Sequence, residues 1–148
     1  ANGVTIEIDG LTILGKGGDG GGTTSVSLNI NGDVGGKALE TTVDLTLTNC
    51  TVGGGGGGGG AAFFDNSRAG EGGGGAGRLP GTGYENGTDL SGGEGQPAGV
   101  FLDKSGDGGD AGQVGENSDG IGGSAGTAID GFSLITNNGS TILGPTVN

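Results

Sequence analysis

Residues 51–77 read TVGGGGGGGGAAFFDNSRAGEGGGGAG, so that eight consecutive glycines lead into two adjacent phenylalanines and then into a second glycine-rich run. A glycine run of this length usually forms a flexible linker. Ordering residues 53–60 costs about 1–2 kcal/mol of backbone entropy per residue, and no side chain is present whose burial could offset that cost. The run can therefore be ordered only if its N–H and C=O groups bond to neighbouring segments of the chain.

Packed polyglycine-II helices provide such bonding. The polyproline-II conformation has three residues per turn and no internal hydrogen bonds, so its polar groups point outward. Helices of this kind can bond to neighbours on every side where no Cβ blocks the approach. A fully surrounded helix is then nearly pure glycine, and residues 53–60 are the one tract that meets this demand. The tracts GEGGGGAG (70–77) and GDGGDAG (106–112) suit the periphery, with their acids facing outward.

Glycine-rich tracts recur along the chain and alternate with segments of varied composition. Glycine supplies 44 of the 148 residues, whereas its average share in proteins is about 7%. The other tracts are residues 15–22, 92–95 and 120–126. This alternation favours an ordered sandwich of polyglycine-II helices, with the intervening segments as loops at its ends, over a flexible linker. The structural core of this sandwich is predicted to be Gly53, Gly54, Gly55, Gly56, Gly57, Gly58, Gly59 and Gly60.

Short β-strands are predicted where apolar residues recur with a period of two. No segment shows a helical period, and glycine at this density disfavours helix. The predicted fold is therefore mostly β and irregular, with essentially no α-helix. Phe132 is expected in the core. The alternating positions are Val4, Ile6 and Ile8, then Val26, Leu28 and Ile30, then Val43, Leu45 and Leu47, and more weakly Phe132 and Leu134.

A short internal repeat marks the organisation of the chain. DGLTILGKGGDGG, TNCTVGGGGGGGG and NNGSTILGPTVN each run from a polar turn through threonine and an aliphatic residue into glycine. We expect one compact domain with three sections. Residues 1–52 hold short strands and the first glycine tract, residues 53–131 the sandwich with recognition loops, and residues 132–148 a closing β segment.

Composition excludes several classes of function. The net charge of −12 opposes binding to nucleic acid or to an anionic membrane, and no apolar run of about 20 residues is present to span one. Histidine is absent, which removes the usual general base and the commonest metal ligand. GGSAG matches a nucleophile motif, but glycine abundance makes such a match expected by chance. VGENSDGIG partly resembles a calcium-binding repeat but occurs once. We therefore predict no enzyme activity, no cofactor and no metal.

The order of these parts resembles that of the glycine-rich receptor-binding adhesins at the tips of tailed-phage fibres. These include the distal adhesins of T-even-like phages and the C-terminal regions of lambda-like tail-tip proteins. The resemblance rests on TILGKGGDGG, LTLTNCTVGGGGGGGGAAFF, GGSAGTAIDG and NNGSTILG. It implies a polyglycine-II sandwich on a virion tail tip or tail-fibre tip, with other tail or fibre proteins as partners. It also implies that the loops bind a bacterial outer-membrane protein or a surface glycan.

The candidate receptor-binding residues lie in the segments between tracts. If the tracts are antiparallel, the loop at 61–69 shares an end with residues 96–105, which creates an aromatic and cationic surface suited to acidic receptor loops or sugar rings. The connection 78–91 and the loop 113–119 would then lie at the other end. Alternatively, the phenylalanines seal the ends of the slab. The candidates are Phe63, Phe64, Asp65, Asn66, Arg68, Tyr84, Phe101, Leu102 and Lys104.

Two other classes of protein share this composition. A glycine-repeat bacterial surface or structural protein would show many near-identical repeats, whereas the segments between these tracts differ from one another. An ice-binding polyglycine-II protein would show flat, regular faces and disulfide bonds, but the chain has one cysteine. The adhesin is therefore the favoured hypothesis.

Overall fold

A computed structural model describes residues 6–23, 28–65, 68–69, 71–99 and 103–148. These residues contain no α-helix, and their helical element is a 3₁₀ turn at Phe132–Leu134. The predicted fold class, short strands and irregular tracts with essentially no α-helix, is confirmed for them. The strands are β1 (Ile6–Asp9), β2 (Thr12–Leu14), β3 (Gly22–Thr23), β4 (Leu28–Asn29), β5 (Leu39–Glu40), β6 (Leu45–Thr48), β7 (Thr51–Gly53), β8 (Phe63–Asp65), β9 (Arg68–Ala69), β10 (Ile129–Asp130), β11 (Ile135–Asn138), β12 (Thr141–Leu143) and β13 (Thr146–Val147).

Nine of these strands form three parallel sheets through which the chain passes in turn. The sheet orders are β1-β6-β11, β2-β7-β12 and β5-β10-β13. The chain runs from β1 to β2, from β5 through β6 to β7, and from β10 through β11 and β12 to β13. Each strand therefore stacks on the equivalent strand of the previous circuit, and the three sheets are the faces of a short parallel β-helix.

The register of the β-helix stacks aliphatic residues on one another. Ile13, Val52 and Ile142 are partners across the second sheet. In β6 the side chains of Leu45 and Leu47 are buried, whereas the two threonines between and after them are half-buried. This alternation confirms the predicted period of two in that strand, and burial of such side chains contributes the apolar part of the stability.

The internal repeat corresponds to the corners between the first and second sheets. Gly10, Asn49 and Gly139 occupy equivalent corner positions and have φ values of 67°, 50° and 75°. Glycine and asparagine adopt this left-handed conformation at the lowest cost, which explains the polar turn in each repeat. Cys50 follows the second corner, and its buried Sγ lies 3.3 Å from the carbonyl oxygens of Ile8 and Thr48, between which its single S–H is shared.

The prediction of a strand and a core side chain at Phe132 was wrong. Residues 132–134 form the 3₁₀ turn, and the side chain of Phe132 is 37% exposed. Gly131 precedes the turn with φ 87°, and this left-handed residue redirects the chain at a corner of the β-helix. Ile129, two residues before the corner, is fully buried instead.

The central tract, residues 53–60, continues directly from β7 and bonds to neighbours with a period of three. Its amides at 55 and 58 donate to the carbonyls of Gly36 and Asp33, and those at 56 and 59 donate to Ala76 and Gly73. The amides at 57 and 60 donate to Gln113 and Glu116. Residues three apart thus face the same neighbouring segment, as in a helix with three residues per turn.

Six described segments surround the central tract. Three accept its N–H groups and three donate to its carbonyls, and each is also hydrogen-bonded to the next around the ring. Partners on all sides with a period of three are what packed polyglycine-II helices require. In order around the tract, the segments are residues 15–21, 30–36, 120–126, 113–116, 106–112 and 72–76.

A second tract, residues 72–77, is enclosed in the same way. It is buried throughout, including the side chain of Ala76. Besides the central tract and residues 15–21 and 106–112, it bonds to segments 79–84, 85–88 and 92–96. The prediction that GEGGGGAG lies at the periphery was therefore wrong. The acidic residue of this run, Glu71, is exposed at the end of the tract. The buried part of the tract therefore contains no large side chain.

The described segments stack as a slab of three layers. In the outer tract 106–112 the carboxylates of Asp107 and Asp110 reach the surface, which confirms the peripheral position predicted for GDGGDAG. The hydrogen-bonded neighbours place residues 30–36, 15–21 and 79–84 in one outer layer, residues 120–126, 53–60, 72–77 and 85–88 in the middle layer, and residues 113–116, 106–112 and 92–96 in the other outer layer.

Candidate functional site

The slab has two different ends. The tracts 15–21 and 53–60 follow β2 and β7, and they run parallel because Gly15, Gly18 and Gly21 donate to carbonyls at 53, 56 and 59. Both tracts leave the β-helix at one end, which we call the β-helix end. The opposite end, where Gly21 and Gly60 lie, is called the loop end.

The described ends of five connections meet at the loop end. Their positions follow from the bonds of their flanking residues to the far ends of the tracts. These connections are not part of the hydrogen-bonded lattice of tracts, so their sequences can change without unfolding that lattice. They are the connection that includes the β3–β4 hairpin, the β8–β9 hairpin, the turn at Tyr84, the connection 97–104 and the turn 117–119.

The segment predicted as a loop at 61–69 contains a hairpin. β8 and β9 pair antiparallel, with Phe63 opposite Ala69 and Asp65 opposite Arg68, and the register shifts between these pairs. Aromatic residues followed by an Asp-Asn-Ser sequence are a recognisable hairpin signal. Among the other candidates, Asn66, Phe101 and Leu102 lie outside the described residues.

The predicted proximity of segments 61–69 and 96–105 is confirmed. The Ala62 N–H donates to Ser105 Oγ at 3.0 Å, and the Gln96 N–H donates to the Glu71 carbonyl at 2.9 Å. The two connections that hold most of the candidate residues therefore start and end side by side.

The prediction that Tyr84 lies at the opposite end was wrong. Its N–H donates to the carbonyl of Gly72 at 3.1 Å, and the Gly72 N–H donates to Gly21 at the loop end. Residues 78–91 form two further short segments of the slab, because Gly81 and Gly87 allow close approach to neighbouring backbone. Tyr84, 49% exposed, therefore lies at the same end of the slab as the hairpin and as Gln96 and Ser105, which flank the connection 97–104.

The loop 113–119 was also placed incorrectly. Gln113 lies at the β-helix end, where its N–H donates to Asp110. The chain then returns along the slab, and the Ser118 hydroxyl donates to the carbonyl of Lys104 at 2.8 Å. The turn at 117–119 therefore lies at the loop end beside Lys104.

Lys104 is held by an acidic neighbour. Its Nζ bonds to Asp107 Oδ2 at 2.7 Å, and Asp107 Oδ1 accepts the Gly95 N–H at 2.8 Å. The bond to Asp107 raises the pKa of Lys104. Burial opposes ionisation of Asp107, but the Gly95 N–H and Lys104 outweigh it and lower the pKa of Asp107. Lys104 is therefore a compensated charge and not a free cation of the predicted surface.

Exposed acids dominate the described part of the loop end. They belong to four of the segments that meet there, and Lys104 is the base among the side chains described in these segments. The exposed acids are Glu71, Glu85, Asp103, Glu116 and Asp119.

A shallow groove of about 360 Å³ runs along the outer layer formed by 92–96, 106–112 and 113–116. Asp107 and Asp110 line it, but each carboxylate already accepts a backbone N–H, from Gly95 and Gly92 respectively. No group of three or more potential metal ligands is present among the described residues. No helix in the described part of the chain is long and apolar enough to cross a membrane.

The polar side chains that bond to backbone at the margins of the slab were not predicted from the sequence. Asp19 accepts the Thr82 N–H, Asn117 accepts the Gly122 N–H and Gln96 accepts the Glu71 N–H. Their spacing in the sequence could identify such side chains, because residues three apart lie on the same side of a helix with three residues per turn. Among the outer tracts, the pair Asp107 and Asp110 shows this spacing.

Binding residues are usually carried by loops on a rigid scaffold, and here the described ends of the connecting loops gather at one end of a lattice held by backbone bonds. The chain belongs to the phage tail fibre adhesin Gp38 family, whose family model matches residues 1–147. The predicted resemblance to tail-fibre adhesins is thereby confirmed.

One solved structure supports the same relationship. The chain is similar to a chain in the crystal structure of the gp37-gp38 adhesin tip complex of the bacteriophage S16 long tail fiber, with a TM-score of 0.69 and 28% sequence identity. The match covers 95% of this chain and 58% of that chain, so this chain spans little more than half the length of its structural relative. No curated protein sequence matches the chain significantly.

Proposed function

We propose that this protein is a host-recognition module at the tip of a phage tail fibre, and that its loop end binds an outer-membrane protein or a surface glycan of the bacterial host. The observation that carries the proposal is that connections of dissimilar sequence are collected at one end of the slab, opposite the β-helix. Binding of this kind needs no chemical step.

The orientation of the slab follows from the same arrangement. The β-helix end faces the virion and the loop end faces the host. The solved relative is a gp37-gp38 complex, and we extend this to a second tail-fibre protein as the partner that carries the chain. The partner contacts surfaces outside the loop end, because the recognition connections need to stay accessible.

The proposed receptor contact consists of the candidate residues from the sequence, with Tyr84 now at the same end of the slab as the others. Aromatic side chains are common anchors of interfaces because they bury a large area at a small entropic cost. We therefore assign the main contact to the hairpin and the 97–104 connection, with Tyr84 beside them. The assigned residues are Phe63, Phe64, Asp65, Asn66, Arg68, Tyr84, Phe101 and Leu102, with Lys104 paired at the margin.

Alanine substitution at the loop end tests the proposal. We expect Phe64→Ala and Phe101→Ala each to slow adsorption of phage to host cells by about tenfold or more, as loss of an interface anchor does. Tyr84→Ala is expected to weaken adsorption to a smaller extent. The thermal midpoint of each purified variant is measured beside adsorption.

The matched control is Phe132→Ala, which removes an exposed phenylalanine from the β-helix. It is expected to leave adsorption at the parent rate. The proposal fails if all loop-end variants adsorb normally, or if Phe132→Ala alone abolishes adsorption while remaining folded.

A further inference from the structure

Pairs in which glycine follows Asn or Asp are points where a protein backbone can react with its own side chain. The glycine nitrogen attacks the side-chain Cγ, and the absence of a Cβ on glycine leaves that nitrogen open to the reaction. The reaction is fastest where the glycine N–H and the side chain are both free of hydrogen bonds, because no local opening is then needed. The pairs in the described residues begin at Asp9, Asp19, Asn31, Asn86, Asp107, Asp119, Asp130 and Asn138.

Hydrogen bonds of the glycine N–H protect all of these described pairs except the last. Each protected glycine donates to a backbone carbonyl at 2.7–3.1 Å. Gly139, which follows Asn138, has no acceptor for its N–H among the described residues. The protected donors and their acceptors are Gly10 to Thr48, Gly20 to Thr82, Gly32 to Ile121, Gly87 to Gly81, Gly108 to Gly93, Gly120 to Ala61 and Gly131 to Val147.

The free N–H of Gly139 follows from its place in the β-helix. At the stacked corners the Gly10 N–H donates to the Thr48 carbonyl at 2.9 Å, and the Asn49 N–H donates to the Asn138 carbonyl at 3.1 Å. Gly139 occupies the equivalent position after β11, which is an edge strand of its sheet, so no further circuit in the described part of the chain accepts its N–H. A Cβ at Gly139 would have Asn49 Oδ1 as its one neighbour within 4 Å, at 3.6 Å, so the space around this residue is open.

The side chain of Asn138 is unprotected as well. It is exposed and makes no hydrogen bond to the described residues. The side chains of the other two asparagines are held. Asn31 Oδ1 accepts the Ile121 N–H at 2.9 Å, and Asn86 Oδ1 accepts the Gly83 N–H at 3.3 Å. Asn138 is therefore the described asparagine at which both reacting groups are free.

We propose that Asn138 is the site at which the folded protein deamidates, with water as the co-reactant. A bond forms between the Gly139 nitrogen and Asn138 Cγ, the Cγ–Nδ2 bond breaks, and Nδ2 leaves as ammonia with the proton from Gly139. Water then opens the five-membered imide. Addition at Cγ gives aspartate, whereas addition at the backbone carbonyl gives isoaspartate, and neither step is a redox reaction.

Both products change this corner of the β-helix. Each replaces a neutral amide by a carboxylate and adds negative charge to an already acidic chain. Isoaspartate also adds a carbon atom to the backbone beside the Asn138 carbonyl, which accepts the Asn49 N–H. The modification is separate from the loop end, so it is independent of receptor binding.

Mass spectrometry of the aged full chain tests the proposal. Folded protein is incubated at mildly alkaline pH, which favours loss of the proton from the attacking nitrogen, and is then digested with pepsin in acid. A parallel sample is incubated in denaturant, where every Asn–Gly pair is equally accessible. For each pair the rate in the folded protein is divided by the rate in the denatured chain, which removes the effect of local sequence.

We expect this ratio to be greatest for Asn138. It should exceed the ratios for Asn31 and Asn86 by about tenfold or more, because reaction at the protected pairs requires local opening of the lattice. The three pairs are measured in the same molecule, so Asn31 and Asn86 are internal controls for the extent of folding.

Two variants give a second readout, the total isoaspartate that accumulates in folded protein. Asn138→Thr removes the site and introduces the residue that β6 has at the paired position, Thr48, so it is suited to the strand. It is expected to abolish most of the accumulation. The matched control Asn86→Ser removes a protected pair and is expected to accumulate as much isoaspartate as the parent.

The proposal is overturned if the ratio for Asn31 or Asn86 equals that for Asn138. It is also overturned if Asn138 keeps its amide in folded protein while the denatured chain converts. Accumulation in folded Asn138→Thr at the parent level has the same meaning. None of these measurements uses a receptor, so they leave the proposed function to its own test.

Discussion

A Cβ atom added at Gly56 would meet the carbonyl oxygens of Gly109 and Asp110. The Gly56 N–H donates to Ala76 and its carbonyl accepts from Gly18, so no direction is open for relaxation. At the residue scale, glycine in the enclosed tracts is required by contact with backbone and not by an unusual φ value. This requirement differs from that at the corner glycines, where the conformation itself favours glycine.

We predict that Gly56→Ala severely destabilises the protein. Displacing the neighbouring tracts leaves backbone groups unpaired at about 1–3 kcal/mol each, against a total stability of about 5–15 kcal/mol for a typical domain. Thermal melting of the variant should show a large fall in Tm or no folded protein.

Gly99→Ala is the matched control, because nothing lies within 4 Å of a Cβ at that position. Its Tm should equal or slightly exceed that of the parent, since alanine restricts the unfolded chain. A Gly56→Ala variant that melts with the parent would contradict the enclosure of the central tract.

Single residues also mark where sequence reasoning succeeded and where it failed. Leu45 and Leu47 were predictable because alternation reports burial directly. Phe132 was not, since the left-handed Gly131 that turns the chain before it has no signature beyond the glycine itself. In a chain with 44 glycines, composition does not distinguish a corner glycine from a lattice glycine.

At the scale of elements, the outer segments are held to the lattice by carboxylates as well as by backbone. Asp19 accepts the Thr82 N–H at 2.7 Å and the Thr82 hydroxyl at 3.0 Å. Asp107 accepts the Gly95 N–H. The segments 79–84 and 92–96 are therefore each bound by an ionised side chain of a neighbouring tract.

These carboxylates predict a loss of stability in acid. The Thr82 N–H holds the pKa of Asp19 below its ordinary value of 3.8, with Lys16 adding to the effect, and the pKa of Asp107 is also lowered. A lowered folded-state pKa stabilises the protein above the unfolded pKa, and this contribution disappears as pH falls through the folded pKa. The free energy of unfolding should therefore decrease as pH falls below about 4.

Asp19→Asn and Asp107→Asn test the origin of this decrease. Each variant keeps an oxygen acceptor for the backbone N–H but does not titrate. Chemical denaturation between pH 6 and pH 3 should give a shallower pH dependence for the double variant than for the parent. Equal slopes would assign the acid sensitivity to other groups.

The elements that sequence reasoning missed are the short segments 79–84 and 85–88. Their glycines occur singly, at 81, 83 and 87, so they lack the runs that identify the long tracts. They fit because an outer segment needs glycine only where it faces a neighbour. The prediction for Tyr84 was wrong for this reason, because residues 78–91 form two segments of the slab joined by a turn and are not a single connection.

At the scale of the whole molecule, the β-helix and the slab share backbone bonds. The Gly54 N–H donates to the carbonyl of Leu143, and a Cβ at Gly112 would overlap that residue's carbonyl. The central tract is also the direct continuation of β7. Unfolding of either part therefore removes backbone partners from the other.

We therefore predict a single cooperative unfolding transition. Amide hydrogen exchange should give similar opening free energies for Ile129 in the β-helix and for Gly57 in the central tract. The exposed connections at the loop end should exchange faster. Two separate transitions, or fast exchange through residues 53–60, would contradict the shared lattice.

The three-residue period of the hydrogen bonds in the tracts also limits which length changes the coding sequence can tolerate. Adding or removing one glycine codon within an outer tract such as 106–112 rotates the following residues of that tract by a third of a turn, which would carry the Asp110 side chain towards the interior. Gain or loss of three codons keeps the phase. Replication slippage on repetitive glycine codons should therefore be filtered by selection, so that viable lineages differ in tract length by whole triplets of codons.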